Sequence, residues 1–473
     1  MKNQQKILPP KLTNNPSWDV IATRTTPLLS FFNSQGGPLK KHYEIQLDTS
    51  KNFDSSNLIV YPQVPQKEEF VTDKKVEEKD ALKDNSLYYW RARTITSHGK
   101  SHWKVSRFYV DTKSDKEFMN LVRVPIRNIE VSAGYNAKNI IDLDDPGLTT
   151  FWQSPPPGDK YSWIKFDLGK ETEVSRAWIL SNPGNSDGWL KDFVIQTSKE
   201  GKKWSDVSDT KVNNNDTFRN IINFEPIKSR FFRLLIKDFI GYTAQVNEVI
   251  LYSPGKPPIP KVPQSNYVLI IGNEHNGYTF TDLAGHIKSL DLSLQIVTVP
   301  YYEASLQMLE NLSLKPVAII LSGNNADYPN LPMFEYNGEF EIIRNSHIPI
   351  LGICAGHQFL AMAYGYTRAR SMGWSDITAM EPKRKWTHAK ILTKDPVFKN
   401  IRNNFVAPEI HGWAVAEPAL GFEVIAASSY IQAQKNTKRF IYGGQFHAEI
   451  NASYNHGRPF IKNFLRLAME KGK

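Results

Sequence analysis

His347-Ile-Pro-Ile-Leu-Gly-Ile-Cys-Ala-Gly-His-Gln358 carries the only cysteine of the 473-residue chain. The apolar run Ile348 to Ile353 reads as a buried strand, and Phe359, Leu360, Ala363 and Tyr364 have the spacing of one helix face. Between them, Gly352-Ile-Cys354-Ala-Gly356 follows the glycine-x-nucleophile-x-glycine pattern, in which glycines permit a sharp strand-to-helix turn. Such a turn presents Cys354 instead of packing it away, and the helix N-terminus behind it favours the reactive thiolate. Upstream, Tyr267–Gly272, Leu294–Val299 and Val317–Leu321 are further continuous apolar strands that alternate with helical stretches. That is the pattern of a parallel sheet with helices on both faces, and it puts Ser322 and Cys354 at carboxyl ends of strands, where open α/β sheets bind ligands.

A cysteine nucleophile needs a base, and the base needs a third group to hold its orientation. Arg439-Phe-Ile-Tyr-Gly-Gly-Gln-Phe446 reads as a strand and runs into His447-Ala448-Glu449. On an extended segment a two-residue step puts His447 and Glu449 on one side, so that the carboxylate can orient the imidazole. His357 and His411 have no such partner visible in the sequence and read as structural or substrate-contacting.

Gly352-Ile-Cys-Ala-Gly-His-Gln358 together with Gln445-Phe-His-Ala-Glu449 resembles the class I glutamine amidotransferases, the triad glutaminases. The family usually has proline where this chain has Ala448, a change that spares every catalytic group. The resemblance implies a flavodoxin-like, doubly wound α/β domain over residues 266–473 with Cys354 as nucleophile, His447 as base and Glu449 as orienter. It also implies an oxyanion hole from the backbone N–H groups of Asn324 and Ala355, with Asn324 replacing the second glycine of the family's Ser-Gly-Gly-type loop. Gln358 and the His411-Gly412-Trp413 segment fall at positions that meet the substrate glutamine. The reaction implied is cleavage of a γ-glutamyl amide, of glutamine or a conjugate, through a thioester and without a catalytic cofactor.

Working outward, Pro254-Gly-Lys-Pro-Pro-Ile-Pro-Lys-Val-Pro-Gln264 predicts a semi-rigid polyproline spacer, over 254–265, that holds the last domain away from what precedes it. Residues 121–253 are β-rich. Asn139–Trp152, Trp163–Gly169, Phe193–Ser198, Arg230–Ile236 and Asn247–Tyr252 together resemble a discoidin, or coagulation factor type C, jelly roll. Bacterial members of that family commonly bind carbohydrate, and a loop of theirs commonly holds structural Ca²⁺. Asp142, Asp144, Asp145, Thr150 and Glu248 are the matching oxygen donors, with a plain acidic turn as the alternative. Trp189, in a loop, is the candidate for stacking on a sugar, or else a packed loop aromatic. Residues 16–113 alternate apolar and polar in Tyr43–Asp48 and Leu87–Ile95, and Tyr88-Tyr-Trp-Arg-Ala-Arg93 resembles a fibronectin type III sandwich. The charged stretch Thr112–Glu117 reads as a linker between the two sandwiches.

Composition sets the outer limits. Hydrophobic residues at 40% and aromatics at 12% suit packed cores and argue against extended disorder. The net charge of +10 is spread along the chain without a basic run, which speaks against nucleic acid and leaves an anionic glycan or cell-surface polymer open as a partner. A single cysteine excludes an intrachain disulfide framework, and no 18-residue apolar span exists to cross a membrane. The N-terminal residues lack the apolar region of a signal peptide. The adhesion-like modules point to a periplasmic, secreted or surface location with the signal absent from this numbering, and a cytoplasmic location stays open. The competing reading is a carbohydrate- or surface-binding protein with an idle amidotransferase-like domain.

Overall fold

The computed structural model describes residues 7–12, 20–22, 24–34, 41–66, 71–84, 86–110, 112, 120–143, 150–156, 162–182, 187–326, 328–364, 369–371, 385–415, 418 and 421–471. Most of the charged stretch 112–117 lies outside these. The chain forms two compact units, Met1–Glu117 with Thr367–Arg370, and Phe118–Tyr366 with Ser371–Lys473.

The first unit is a two-sheet sandwich. Lys11–Leu12, Leu28–Phe32 and Val71–Lys75 make one sheet, and Val20–Ala22, Lys104–Val110, Ser86–Thr96, His42–Asp48 and Ile59–Pro65 are the successive strands of the other. Along Ser86–Thr96 the side chains of Tyr88, Trp90, Ala92 and Thr94 point inward at every second position, as the period of a strand demands. Trp90 is fully buried there, against Phe31, Tyr43 and Phe108.

The second unit contains a sandwich and an α/β domain. The sandwich is built on three long antiparallel strands, Ser162–Ser181, Arg219–Phe239 and Gln245–Pro254, with Leu121–Arg123 paired to the last of them. Trp152, Ile164, Phe193 and Phe232 fill its core.

In the α/β domain a nine-stranded sheet runs in the order Gln295–Pro300, Tyr267–Gly272, Ala318–Leu321, Ile350–Ile353, Ile441–Gly444, Ile431–Asn436, Phe422–Ala427, Lys385–Ile391, Asn404–Glu409. The first five are parallel, and the rest extend the sheet antiparallel. All six residues of Tyr267–Gly272 are buried, and each large aliphatic side chain so buried contributes about 1.5–3 kcal/mol. Separate apolar clusters cover the two faces of this sheet. Leu321 pairs with Gly352, so Ser322 and Cys354 emerge side by side at the carboxyl edge.

One expectation is corrected here. The proline-rich segment joins the sandwich to the α/β domain but does not hold them apart: Arg123 and Tyr252 of the sandwich both bond Glu335 of the α/β domain, and Val262 packs on that domain's core.

Candidate active site

Cys354 stands between strand Ile350–Ile353 and helix Ala355–Ala363 with φ 52° and ψ −104°, a conformation that costs a non-glycine residue on the order of 1–3 kcal/mol. The strain sits on the cysteine itself and not on the glycines beside it. Those glycines are needed for close approach: a Cβ on Gly352 would lie 2.4 Å from the Gly356 carbonyl oxygen, and one on Gly356 would lie 2.4 Å from that of Leu321. Cys354 N–H donates to Gly444 O at 2.8 Å and Gly356 N–H to Ser322 O at 3.1 Å, which tie the turn to both neighbouring strands. The Cys354 sulfur is buried, 3.8 Å from Gln445 Nε2 and 3.6 Å from the Ile410 carbonyl.

His447 is fully buried, and its Nδ1 is 2.7 Å from Glu449 Oε1. The strand expected to carry the pair ends at Gly444, and His447 and Glu449 sit in the turn that follows, so their contact comes from the turn and not from an extended two-residue step. Asn455 holds that turn, donating from Nδ2 to His447 O at 3.0 Å and Ile450 O at 2.9 Å. Phe280 meets the imidazole edge-on at 5.4 Å between ring centroids, and a Cβ on Gly323 would lie 3.3 Å from its Cε1. Burial works against a charged imidazole, but the Glu449 carboxylate and the Cys354 sulfur outweigh it and hold the His447 pKa well above its ordinary value. Burial likewise pushes the Glu449 carboxyl up. His447 and the Thr281 hydroxyl, 2.6 Å from Oε1, bring it below the usual carboxylate value.

Asn324, Ala355, Gln358, His411, Gly412 and Trp413, all named from the sequence, line one cleft with Cys354, of about 420 Å³ with its open mouth included. The Asn324 side chain braces its own loop: Nδ2 donates to Tyr336 Oη at 3.0 Å and Oδ1 accepts from Ala326 N at 2.6 Å. Gln358 is engaged with the cleft wall, its carboxamide bonding Tyr328, the Trp413 carbonyl and, at 3.1 Å, Gln445. His357 is fully buried behind the nucleophile, and burial together with nearby His411 pushes its pKa down to about 3, so it is neutral.

His411 does have a partner, contrary to expectation. Its Nε2 lies 3.4 Å from Glu409 Oε1 and 3.4 Å from Tyr430 Oη, and Gln432 Nε2 donates to the same carboxylate at 2.6 Å.

The family pattern described as glutamine amidotransferase class-I matches residues 279–467. Over 162 residues the chain is 35% identical to a glutamine-hydrolysing GMP synthase subunit of Methanococcus aeolicus, covering 33% of this chain and 76% of that relative. The chain belongs to the class I glutamine amidotransferases. The corresponding GMP synthase subunit of Pyrococcus abyssi is 32% identical over 164 residues, 33% of this amidotransferase and 79% of the relative. A second pattern, the F5/8 type C domain, matches residues 125–251. Similar solved structures include a putative GMP synthase subunit from Thermoplasma acidophilum, at 20% identity and TM-score 0.34 over 45% of this chain and 98% of that one. Another is the family 32 carbohydrate-binding module of Clostridium perfringens NanJ with galactose, at 18% identity and TM-score 0.25 over 28% of this chain and 99% of that one.

In the type C domain of this amidotransferase, Asp144 and Asp145 lie outside the described residues. Asp142 and Thr150 are half-buried, and the Thr150 carbonyl accepts from Asn247 Nδ2 at 2.8 Å. Glu248 Oε2 lies 3.7 Å from His275 Nε2 of the α/β domain. Among the described residues no group of three or more His, Cys, Asp or Glu side chains could hold a metal. Trp189 is packed: its Nε1 donates to Asn182 O at 2.7 Å, and its ring meets Phe218 at 5.7 Å.

Among the described residues of this module, the exposed aromatics are Tyr135 and Tyr242, at 75% and 68% exposure. They flank Gln153, which pairs with Tyr135 through the backbone and donates from Nε2 to Thr243 Oγ1 at 3.1 Å. Thr281, Gln445 and Glu409 are further site residues that the sequence reading did not assign. Gln445 was signalled by its place two residues before His447, whereas Thr281 carries no local signal.

Proposed function

We propose that the amidotransferase domain hydrolyses a γ-glutamyl amide through Cys354, His447 and Glu449. The observation that carries this reading is the fully buried His447 imidazole, bonded through Nδ1 to the Glu449 carboxylate at 2.7 Å, whose charged form the carboxylate and the Cys354 sulfur favour. The sulfur attacks the amide carbonyl, and the tetrahedral oxyanion accepts hydrogen bonds from the backbone N–H groups of Asn324 and Ala355. His447 gives its proton to the departing ammonia, which leaves a γ-glutamyl thioester. It then takes a proton from water, whose attack releases glutamate and restores the thiolate with the imidazolium. Glu449 keeps the imidazole in one orientation throughout.

The domain is read as flavodoxin-like and doubly wound, supported by the five adjacent parallel strands of its sheet. The first unit is read as fibronectin type III-like and the F5/8 type C domain as a glycan-binding module. Tyr135 and Tyr242, rather than Trp189, are the proposed sugar platform. A structural Ca²⁺ in that module is proposed for Asp142, Asp144, Asp145, Thr150 and Glu248. The modules favour a stand-alone extracytoplasmic hydrolase over a subunit that feeds ammonia to a synthetase.

The test is ammonia and glutamate release from glutamine and a panel of γ-glutamyl amides, with Cys354→Ser as the control. Turnover abolished by that substitution supports the hydrolase. No turnover, with Cys354 unlabelled by a glutamine-like electrophile, leaves the binding protein with an idle domain.

A further inference from the structure

Arg123, in the first strand of the sandwich, reaches into the amidotransferase domain with its side chain only 11% exposed. Its Nε donates to Glu335 Oε1 at 2.8 Å, its Nη2 to Tyr301 Oη at 2.7 Å and its Nη1 to His275 O at 3.1 Å. Tyr252, from the sandwich's last strand, donates to the same Glu335 at 2.7 Å, and Tyr301 donates to it at 2.9 Å. Glu335 itself is fully buried.

The two segments that Arg123 grips both brace the loop at Ser322–Ala326. Through Glu335 and Tyr301 it fixes Tyr336, on which Tyr301 stacks at 3.9 Å with 7° between the rings. The Tyr336 hydroxyl accepts from Asn324 Nδ2 and donates to Asn273 O at 2.9 Å. Through the His275 carbonyl Arg123 fixes the segment just after Asn273 and Glu274. Asn273 bonds Ser322 twice, its N–H to Oγ and its Nδ2 to the carbonyl, both at 2.9 Å, and Glu274 Oε2 accepts from Asn325 N at 3.3 Å.

We propose that Arg123 is a positioning residue for the oxyanion loop, so that the sandwich completes the active site of the domain that follows it. This rests on the hydrolase reading for its effect on turnover, but not for its effect on the loop. An oxyanion hole acts only when its donors are already aimed at the developing charge. A buried charge pair bonded to both supporting segments is a device for keeping them so.

The test compares the full-length protein with Arg123→Gln, with Arg123→Met combined with Glu335→Met, which leaves no stranded charge, and with Tyr336→Phe. Three quantities are read: hydrogen exchange of the backbone at 322–326, kcat and KM for glutamine, and the rate of Cys354 alkylation by iodoacetamide. Alkylation needs the nucleophile but no oxyanion donor. The expected result is exchange at 322–326 faster by roughly tenfold and kcat lower by about 10–100-fold, with KM within about twofold and alkylation unchanged. Unchanged exchange in both Arg123 variants overturns the proposal whatever the wild-type activity. Alkylation that falls in step with kcat also overturns it, because the loss is then general damage. A wild type without turnover whose loop still loosens in the variants removes the hydrolase reading and keeps the positioning link.

Discussion

Glu449 Oε1 lies 2.7 Å from His447 Nδ1, and the pair is shut away from water, with the two side chains 2% and 0% exposed. A charge so placed sets both the direction and the protonation of the imidazole. Glu449→Gln keeps the shape but removes the charge, so the His447 pKa falls and the sulfur loses its cationic neighbour. Glutamine turnover should drop about 10²–10⁴-fold, with slower alkylation of Cys354 at neutral pH. Iodoacetamide kinetics equal to wild type would remove Glu449 from this role.

Thr281 donates to the oxygen that His447 uses, at 2.6 Å. Thr281→Ala should lower turnover by roughly tenfold, the worth of a hydrogen bond to a charged group, and Thr281→Ser should restore most of it. Equal losses in the two variants would mean that Thr281 matters only for packing.

Glu339 is fully buried, and burial pushes its pKa up from 4.5 to about 8, against a small opposing effect from Asn273. Between those values the folded protein holds a proton that the unfolded chain has lost, so stability falls as pH rises through that window and flattens above it. Glu339→Gln should remove that part of the slope. Urea midpoints taken between about pH 5 and pH 9 decide it, and parallel profiles for the two proteins would refute the shift.

The family resemblance implies glycine at position 324, yet the Asn324 side chain makes two bonds, to Tyr336 Oη and Ala326 N. Asn324→Gly should therefore lower turnover, by about tenfold, instead of improving it. A faster enzyme would show the asparagine to be an obstruction.

In the sandwich, Tyr135→Ala with Tyr242→Ala should weaken retention on a polysaccharide panel while the melting temperature holds. Trp189→Ala should do the reverse, at a stability cost of roughly 2 kcal/mol. Retention lost only with Trp189→Ala would return the sugar site to that loop.

What could be read from the sequence was what is local in it. Cys354 announced itself because strand, turn and helix lie within 17 residues, Ile348 to Tyr364. His447 and Glu449 are two positions apart, which made their pairing legible even though the backbone that joins them turns where an extended segment was expected. The Glu409 and His411 pair was missed because its carboxylate is also held by Tyr430 and Gln432 from elsewhere in the fold. Arg123 and Glu335 are 212 positions apart, and no periodicity or turn signal links them. The proline-rich segment misled for the same reason, because its stiffness says nothing about the surfaces on either side.

The strand Gln245–Pro254 begins beside the exposed tyrosines and ends next to Tyr252, which is anchored to the amidotransferase domain. At about 3.3 Å per residue, the proposed sugar platform stands roughly 20–25 Å from that anchor. An enzyme on a loose tether searches a sphere around its attachment point, whereas here the Arg123, Tyr252 and Glu335 bonds join the sandwich directly to the amidotransferase domain. Once docked on a polymer, it would keep its cleft at one height and one bearing, and a small diffusing amide would have to come to it.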